Sequence, residues 1–270
     1  MFEELLEDIA QNNGLREESP YLKLAAGLGG IGLCLASGGF VAPLAIAACL
    51  SLAVLLLARV GPRTYAELFA APLSFGVLGA AVIVLLSGGG GGGPAFWSWT
   101  PLPWLALSVT RASLDAGALV LARMIGGMSA LIFLAVTTPM TDLFSVMRRC
   151  RVPEPVLDLA MMIYRAIFLI LDQVVQTYQA QRMRLGYSTP GESVRSISSL
   201  CGSVFIGSWL AGEDFVRAMD ARCADGKFAM SGRTEPVRAV PLLAVAAFLL
   251  GGAMVVAATG SITVMQVIGA

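Results

Sequence analysis

Thirty-five consecutive residues, 24 to 58, separate Lys23 from Arg59 without one charged side chain. At about 1.5 Å of helix per residue, this stretch is longer than one crossing of a ~30 Å hydrocarbon core requires. Two membrane helices fit it better, with Ser37, Gly38, Gly39 and Pro43 supplying the turn between them. Composition agrees: 57% of residues are hydrophobic and 13% charged, against roughly a quarter charged in soluble domains. The chain is therefore predicted to be an all-α integral membrane protein.

Further spans are expected from about Pro72 to Leu86, within Ser108 to Val136, and from Ala239 to about Ala258, giving about five in all. The run Gly88 to Gly93 is too flexible to pack and reads as an extramembrane loop. Trp97, Trp99 and Trp104, interleaved with Pro101 and Pro103, read as interfacial anchors. Lysine and arginine are absent from 37–42, from 88–104 and from the tail after Arg238, whereas Arg59, Arg63, Arg148, Arg149 and Arg151 cluster in two loops. Basic residues are retained on the cytoplasmic side, so these loops and the N-terminus are placed there. The opening Met1-Phe-Glu-Glu-Leu-Leu-Glu-Asp lacks the basic region of a signal peptide and reads as a short acidic amphipathic helix. Within the fourth span, Arg123 would cost ~2.5–3.5 kcal/mol at mid-membrane and must face protein or a polar cavity. With Asp115 it forms a candidate intramembrane polar site, either functional or a satisfied interhelical pair.

The charge balance excludes one class of partner. With 18 basic and 18 acidic residues, no surplus is available to neutralise nucleic acid phosphates. Five cysteines without a C-x-x-C pair suggest neither a disulfide framework nor a zinc site. Histidine, the commonest neutral metal ligand, is missing altogether. The G-x-x-x-x-G-K-[ST] loop is also lacking, and Gly226-Lys227-Phe228 is a chance fragment of one, so ATP hydrolysis by this chain is not expected.

Charge is concentrated instead between about Met140 and Arg238. Pro153-Glu154-Pro155 suits a helix start, and a long helix is predicted from about Pro155 to Gly186. Asp158, Arg165, Asp172 and Gln179 recur along it every seven residues; the helix is expected to be buried on most sides but not to span the membrane. Thr189-Pro190-Gly191-Glu192 has the form of a capping box opening a second long helix toward Cys223. Both helices carry arginine at their distal ends, in Ala180-Gln-Arg-Met-Arg184-Leu-Gly186 and Ala218-Met-Asp-Ala-Arg222-Cys223. A cation near a helix C-terminus complements the macrodipole without any partner. Two arginines in similar contexts on successive helices suggest a docking role, in which each is worth ~2–4 kcal/mol.

At these residues the chain resembles the transmembrane coupling proteins of energy-coupling factor transporters, and among them the cobalt-transport branch CbiQ. The resemblance runs from Pro20-Tyr-Leu-Lys23 through Thr137-Thr-Pro139-Met-Thr-Asp142-Leu143 to both arginine motifs. It implies two crossed cytoplasmic coupling helices, each presenting an Ala-Arg-Gly-like motif to one of two CbiO-like ATPase subunits. Ala180, Arg184, Gly186, Ala221 and Arg222 are the implied contact residues. A CbiM-like substrate-binding membrane subunit and a small CbiN-like accessory subunit are the further partners implied, in the inner membrane of a bacterial or archaeal cell. ATP would be held by the ATPases and the cargo, Co²⁺ or Ni²⁺, by a partner; no cofactor or metal is expected on this chain. Residues 1–138 would then form the N-terminal membrane region, 139–232 the coupling region, and 233–270 the last span and tail. The sequence departs from the family pattern where Met183-Arg184-Leu185 replaces Ala-Arg-Gly and where Cys223 replaces the second glycine.

Three alternatives remain open to the sequence. The same machine could serve nickel or a vitamin. A self-contained carrier would need charged residues in several spans. A membrane enzyme built on Asp115, Arg123 and Asp142 would lack a nucleophile and base placed together.

Overall fold

The computed structural model describes residues 13–15, 18–87, 97–102, 105–223 and 239–259. The expected acidic N-terminal helix, the glycine run at 88–93, Trp104, the Gly226 fragment and the tail beyond Thr259 lie outside them. The chain divides into two units, Met1–Leu143 with Arg233–Ala270, and Phe144–Gly232.

The first unit contains α1 (Pro20–Ala36), α2 (Val41–Leu56), α3 (Pro62–Ser87), a β-hairpin of β1 (Trp97–Leu102) and β2 (Leu105–Val109), α4 (Arg111–Thr137) and α8 (Ala239–Thr259). Helix α4 is its hub and packs against α1, α2 and α3, while α8 lies against α1 and α2. The core is built from Ala26, Cys34, Ile46, Leu50, Val54, Ala130, Phe133 and Val136. Small residues set the helix spacing. A Cβ on Gly126 would lie 2.6 Å from Cys34 Sγ and 2.9 Å from the Pro43 carbonyl oxygen, so only glycine permits this approach. Large apolar side chains point outward instead, with Leu35 66% and Phe75 77% exposed, as lipid-facing positions require.

α4 opens with a full capping box. The Thr110 hydroxyl accepts from Ser113 N at 3.3 Å, and the Ser113 hydroxyl accepts from Thr110 N at 3.0 Å. Both residues are buried, so the reciprocal pair satisfies donors that neither water nor lipid would reach. Helix α3 begins at Pro62 and runs through Pro72, ten residues before the start expected at Pro72. Proline suits a first helical position, and one inside a membrane helix is tolerated where neighbours satisfy the freed carbonyl.

Residues 97–109, expected as loop up to 104 and as the start of a span from Ser108, form an antiparallel hairpin in which Trp97 pairs with Val109, Ser98 with Ser108, Trp99 with Leu107 and Leu102 with Leu105. The register shifts between Trp99 and Leu102, and Pro101, which has no N–H to give a ladder, falls in that irregular stretch. Apart from this hairpin the described residues are helices and their connections: the protein is an all-α membrane protein.

The second unit holds α6 (Glu154–Met183) and α7 (Pro190–Ala221), preceded by α5 (Met140–Arg149), whose sequence crosses the boundary between the units. Helices α3, α4, α7 and α8 are long and apolar enough to cross a membrane, whereas α1 and α2, at 17 and 16 residues, are apolar but shorter. Helix α6 is not buried on most sides as expected: only Leu157 is buried, and α7 has no buried residue. Its apolar residues surround the helix, and α7 alone does not cover them.

Candidate functional site

Helix α6 starts behind Pro153, with Glu154 in its first turn and Arg148 Nη2 3.0 Å from the Glu154 carboxylate. A negative charge here complements the helix dipole. Helix α7 starts behind Thr189, whose hydroxyl accepts from Glu192 N at 3.3 Å. Ser188 donates its hydroxyl to the Glu192 carboxylate. The Ser188 hydroxyl first, and the Thr189 hydroxyl after it, hold the Glu192 carboxyl below the usual carboxylate range.

The two arginine motifs end in one backbone design. Arg184 is the C-cap of α6 at φ −90° and ψ 14°, and Arg222 is the C-cap of α7 at φ −98° and ψ 7°. The next residue is left-handed in both, Leu185 at φ 57° and Cys223 at φ 49°. The closing hydrogen bonds match as well: Leu185 N donates to Arg182 O at 3.1 Å, and Cys223 N donates to Asp220 O at 3.0 Å. Leu185 and Cys223 thus stand where a helix stop favours glycine. The family glycine missing from the sequence is replaced by side chains held in a glycine-like conformation.

Ala180, Arg184, Ala221 and Arg222 are exposed, and Gly186 is half-buried. The structure does not bring the two arginines together. α7 begins five residues after Leu185 and runs for 32 residues before Arg222, about 48 Å of helix. Residues not singled out from the sequence fix the first tip. Gln181 Nε2 donates to Ser196 O at 3.1 Å, the Ser196 hydroxyl donates to Gly186 O at 2.7 Å, and the Tyr187 hydroxyl donates to Gln181 Oε1 at 2.8 Å. The Tyr178 and Tyr187 rings lie 5.0 Å apart beside this network. A Cβ on Gly186 would sit 2.6 Å from Ser196 Oγ and 3.1 Å from Gln181 O, so the motif's glycine allows α6 and α7 to close. Only the glycine of this set had a signal in the sequence; polar side chains bonded to backbone carbonyls leave no spacing to read.

In the first unit, Arg123 donates from Nε and Nη2 to the carbonyl of Ser37, at 3.2 and 2.5 Å. Ser37 is the C-cap of α1, so the guanidinium sits on a helix C-terminus, where a cation is favoured. The converse contact lies at the other end of the same helix pair. Lys23, 4% exposed, donates to the carbonyl of Thr137, the last residue of α4, at 3.0 Å. Asn13 Nδ2 donates to Val136 O at 2.9 Å beside it. Each helix therefore supplies the cation that closes the other. Asp115 lies in the second turn of α4, eight residues before Arg123, and Asp142 in the first turn of α5. Among the described residues, no three Cys, Asp or Glu side chains gather into a group able to hold a metal ion.

These features define a class: a multi-pass α-helical membrane protein that displays a helical pair with two matched, exposed arginine tips. The family model CbiQ, described as a cobalt transport protein, matches residues 11–236. The chain belongs to the CbiQ cobalt transport family. It is 40% identical over 247 residues to a protein of Methanocorpusculum labreanum described as a putative fused cobalt transport protein CbiMQ, covering 92% of this chain and 40% of that one. Over 223 residues it is 31% identical to an uncharacterized protein of Methanocaldococcus jannaschii, covering 83% of this chain and 81% of that one. It is 25% identical over 122 residues to the cobalt transport protein CbiQ of Salmonella typhimurium, covering 45% of this chain and 54% of that one. The chain thus spans well under half the length of the fused relative.

Proposed function

We propose that this chain is the coupling subunit of an ATP-driven cobalt importer, passing motion from two ATPase subunits to a substrate-binding membrane subunit. The observation that carries the reading is the pair of arginine tips: alike in backbone geometry, exposed, and about 48 Å apart along α7. Two matched tips at this separation suit two like subunits gripping one each. The fused relative named CbiMQ supports a CbiM-like partner. A CbiN-like accessory subunit, with ATP on CbiO-like partners, completes the reading.

This function places α6 and α7 on the cytoplasmic side, together with the N-terminus. α6 carries Asp158, Arg165 and Asp172 along its length. The uncharged stretch of α7 between Arg195 and Glu213 is 17 residues, and it includes Ser196, Ser198, Ser199, Ser203 and Ser208. Although α7 is long and apolar enough to cross a membrane, this stretch is at the lower end of the ~17–25 apolar residues of a crossing and carries five serines. Coupling then requires the helices to have different contact energies in the two nucleotide states of the ATPases, since otherwise no equilibrium shifts.

Copurification with the ATPase subunits tests the assignment, using wild type, Arg184→Ala, Arg222→Ala and the double variant. A lost contact of ~2 kcal/mol weakens binding about 30-fold. Each single variant is expected to weaken capture, and the double variant to abolish both assembly and ATP-dependent Co²⁺ uptake. Unchanged assembly and uptake in the double variant would exclude the arginine tips as contacts. Uptake by the chain alone without ATP would point to a self-contained carrier.

A further inference from the structure

The two cation contacts between α1 and α4 act as a ruler. Ser37 lies fourteen positions after Lys23 on the α1 side, and Thr137 fourteen positions after Arg123 on α4, so the contacts lie about 21 Å apart. The turn that joins α1 to α2 is at the Arg123 end. Helix α4 continues twelve residues beyond that level, to Arg111, about 18 Å further. α3 accompanies it there, since Gly117 of α4 packs against Ala80 and Val84. Suppose the turn were at the membrane surface. Only about 21 Å of α4 would then remain to cross a ~30 Å hydrocarbon layer, and tilt would shorten it further. A membrane-crossing α4 and a turn at the surface are incompatible.

We propose that α1 and α2 form a re-entrant hairpin, entering the membrane and returning to the same side, with the turn Ser37–Phe40 held inside the hydrocarbon layer by Arg123. The chemistry of the turn fits this place. Irregular backbone at membrane depth must find its hydrogen bonds within the protein. The Ser37 carbonyl takes both guanidinium bonds from Arg123, Ser37 N donates to Leu33 O at 3.1 Å, and the Ser37 hydroxyl, fully buried, donates to Gly39 O at 2.7 Å. The lengths of α1 and α2, 17 and 16 residues, also lie at or just under the lower limit of ~17 residues for a crossing. The proposal is independent of which face is cytoplasmic and of any partner.

Depth measurement tests it on the full chain in lipid nanodiscs. The five native cysteines are replaced by alanine, and a single cysteine is placed at Gly38, on the exposed edge of the turn, or at Gly61, between α2 and α3. Each is labelled with an environment-sensitive fluorophore and quenched by phospholipids carrying nitroxides on the headgroup or along the acyl chain. The Gly38→Cys label is expected to be quenched most by acyl-chain nitroxides, about 9 Å or more inward of the headgroup level. The Gly61→Cys label is expected at the headgroup. A Gly38→Cys label no deeper than the Gly61→Cys label would overturn the proposal. Should Gly38→Cys fail to fold, Phe40→Cys, half-buried at the far end of the same turn, gives the same reading.

Discussion

Leu185 and Cys223 hold left-handed backbone angles that cost a residue with a Cβ roughly 1–2 kcal/mol. Cys223→Gly and Leu185→Gly are therefore expected to stabilise the helix tips, by about 0.5–1 kcal/mol once the greater freedom of glycine in the unfolded chain is set against the relief. Cys223→Val should loosen its tip. Hydrogen exchange at the Arg222 and Cys223 amides would register both changes without requiring transport. Glu192 gives a pH-dependent case. Its carboxyl is held low by the Ser188 and Thr189 hydroxyls, so its support of α7 is complete above the ordinary carboxylate value of about 4.3 and is lost as pH falls through the lowered one. Glu192→Gln should accordingly speed exchange in the first turn of α7 at neutral pH and make no difference in strong acid. The arginines themselves were legible in the sequence, because both end a helix in an alanine-containing context. The geometry that follows them was not: glycine announces a left-handed stop, whereas leucine and cysteine do not.

Between elements, the mutual capping of α1 and α4 makes two separable predictions. Arg123→Leu leaves the Ser37 carbonyl without its donor, and Lys23→Met does the same to Thr137. A buried unsatisfied group costs about 1–3 kcal/mol, so each variant should lower the thermal unfolding midpoint in detergent. The sites are about 21 Å apart, and the double variant should show the sum to within about 0.5 kcal/mol. Gly126→Leu, which drives a side chain into Cys34 and Pro43, should be worse than either single change in the same assay. The sequence showed that Arg123 needed a polar neighbour in the protein. It could not show which one, because a backbone carbonyl freed by the end of a helix carries no residue code. The hairpin at 97–109 was readable in principle, since Trp97-Ser-Trp-Thr and Leu105-Ala-Leu-Ser-Val alternate with period two. The prolines and the neighbouring glycine run outweighed that signal.

Across the whole molecule, the first unit carries its own core, while the helical pair of the second leaves Ile163, Leu169, Phe205, Ile206 and Trp209 between 53% and 70% exposed. Under the proposed coupling role, an apolar surface of this extent is where a partner would sit. Phe205→Asp is expected to weaken copurification with the CbiM-like membrane subunit while both arginine tips still retain the ATPases; loss of both partners together would mean that the helix itself had failed. The uneven distribution of charge along the chain suggested a boundary near residue 139, and the second unit begins at Phe144. The extent of α6 left uncovered was not legible, since an apolar residue reads alike whether its neighbour is in the same chain or another. The separation of the two tips has a mechanical consequence. α7 is a stiff rod of fixed length, tied at its start to the Arg184 tip through Gln181 and Ser196 and ending in Arg222. In the proposed assembly, subunits that grip its ends and draw closer could not shorten the rod, so it would swing, turning a closing stroke into torque on whatever rests against its middle.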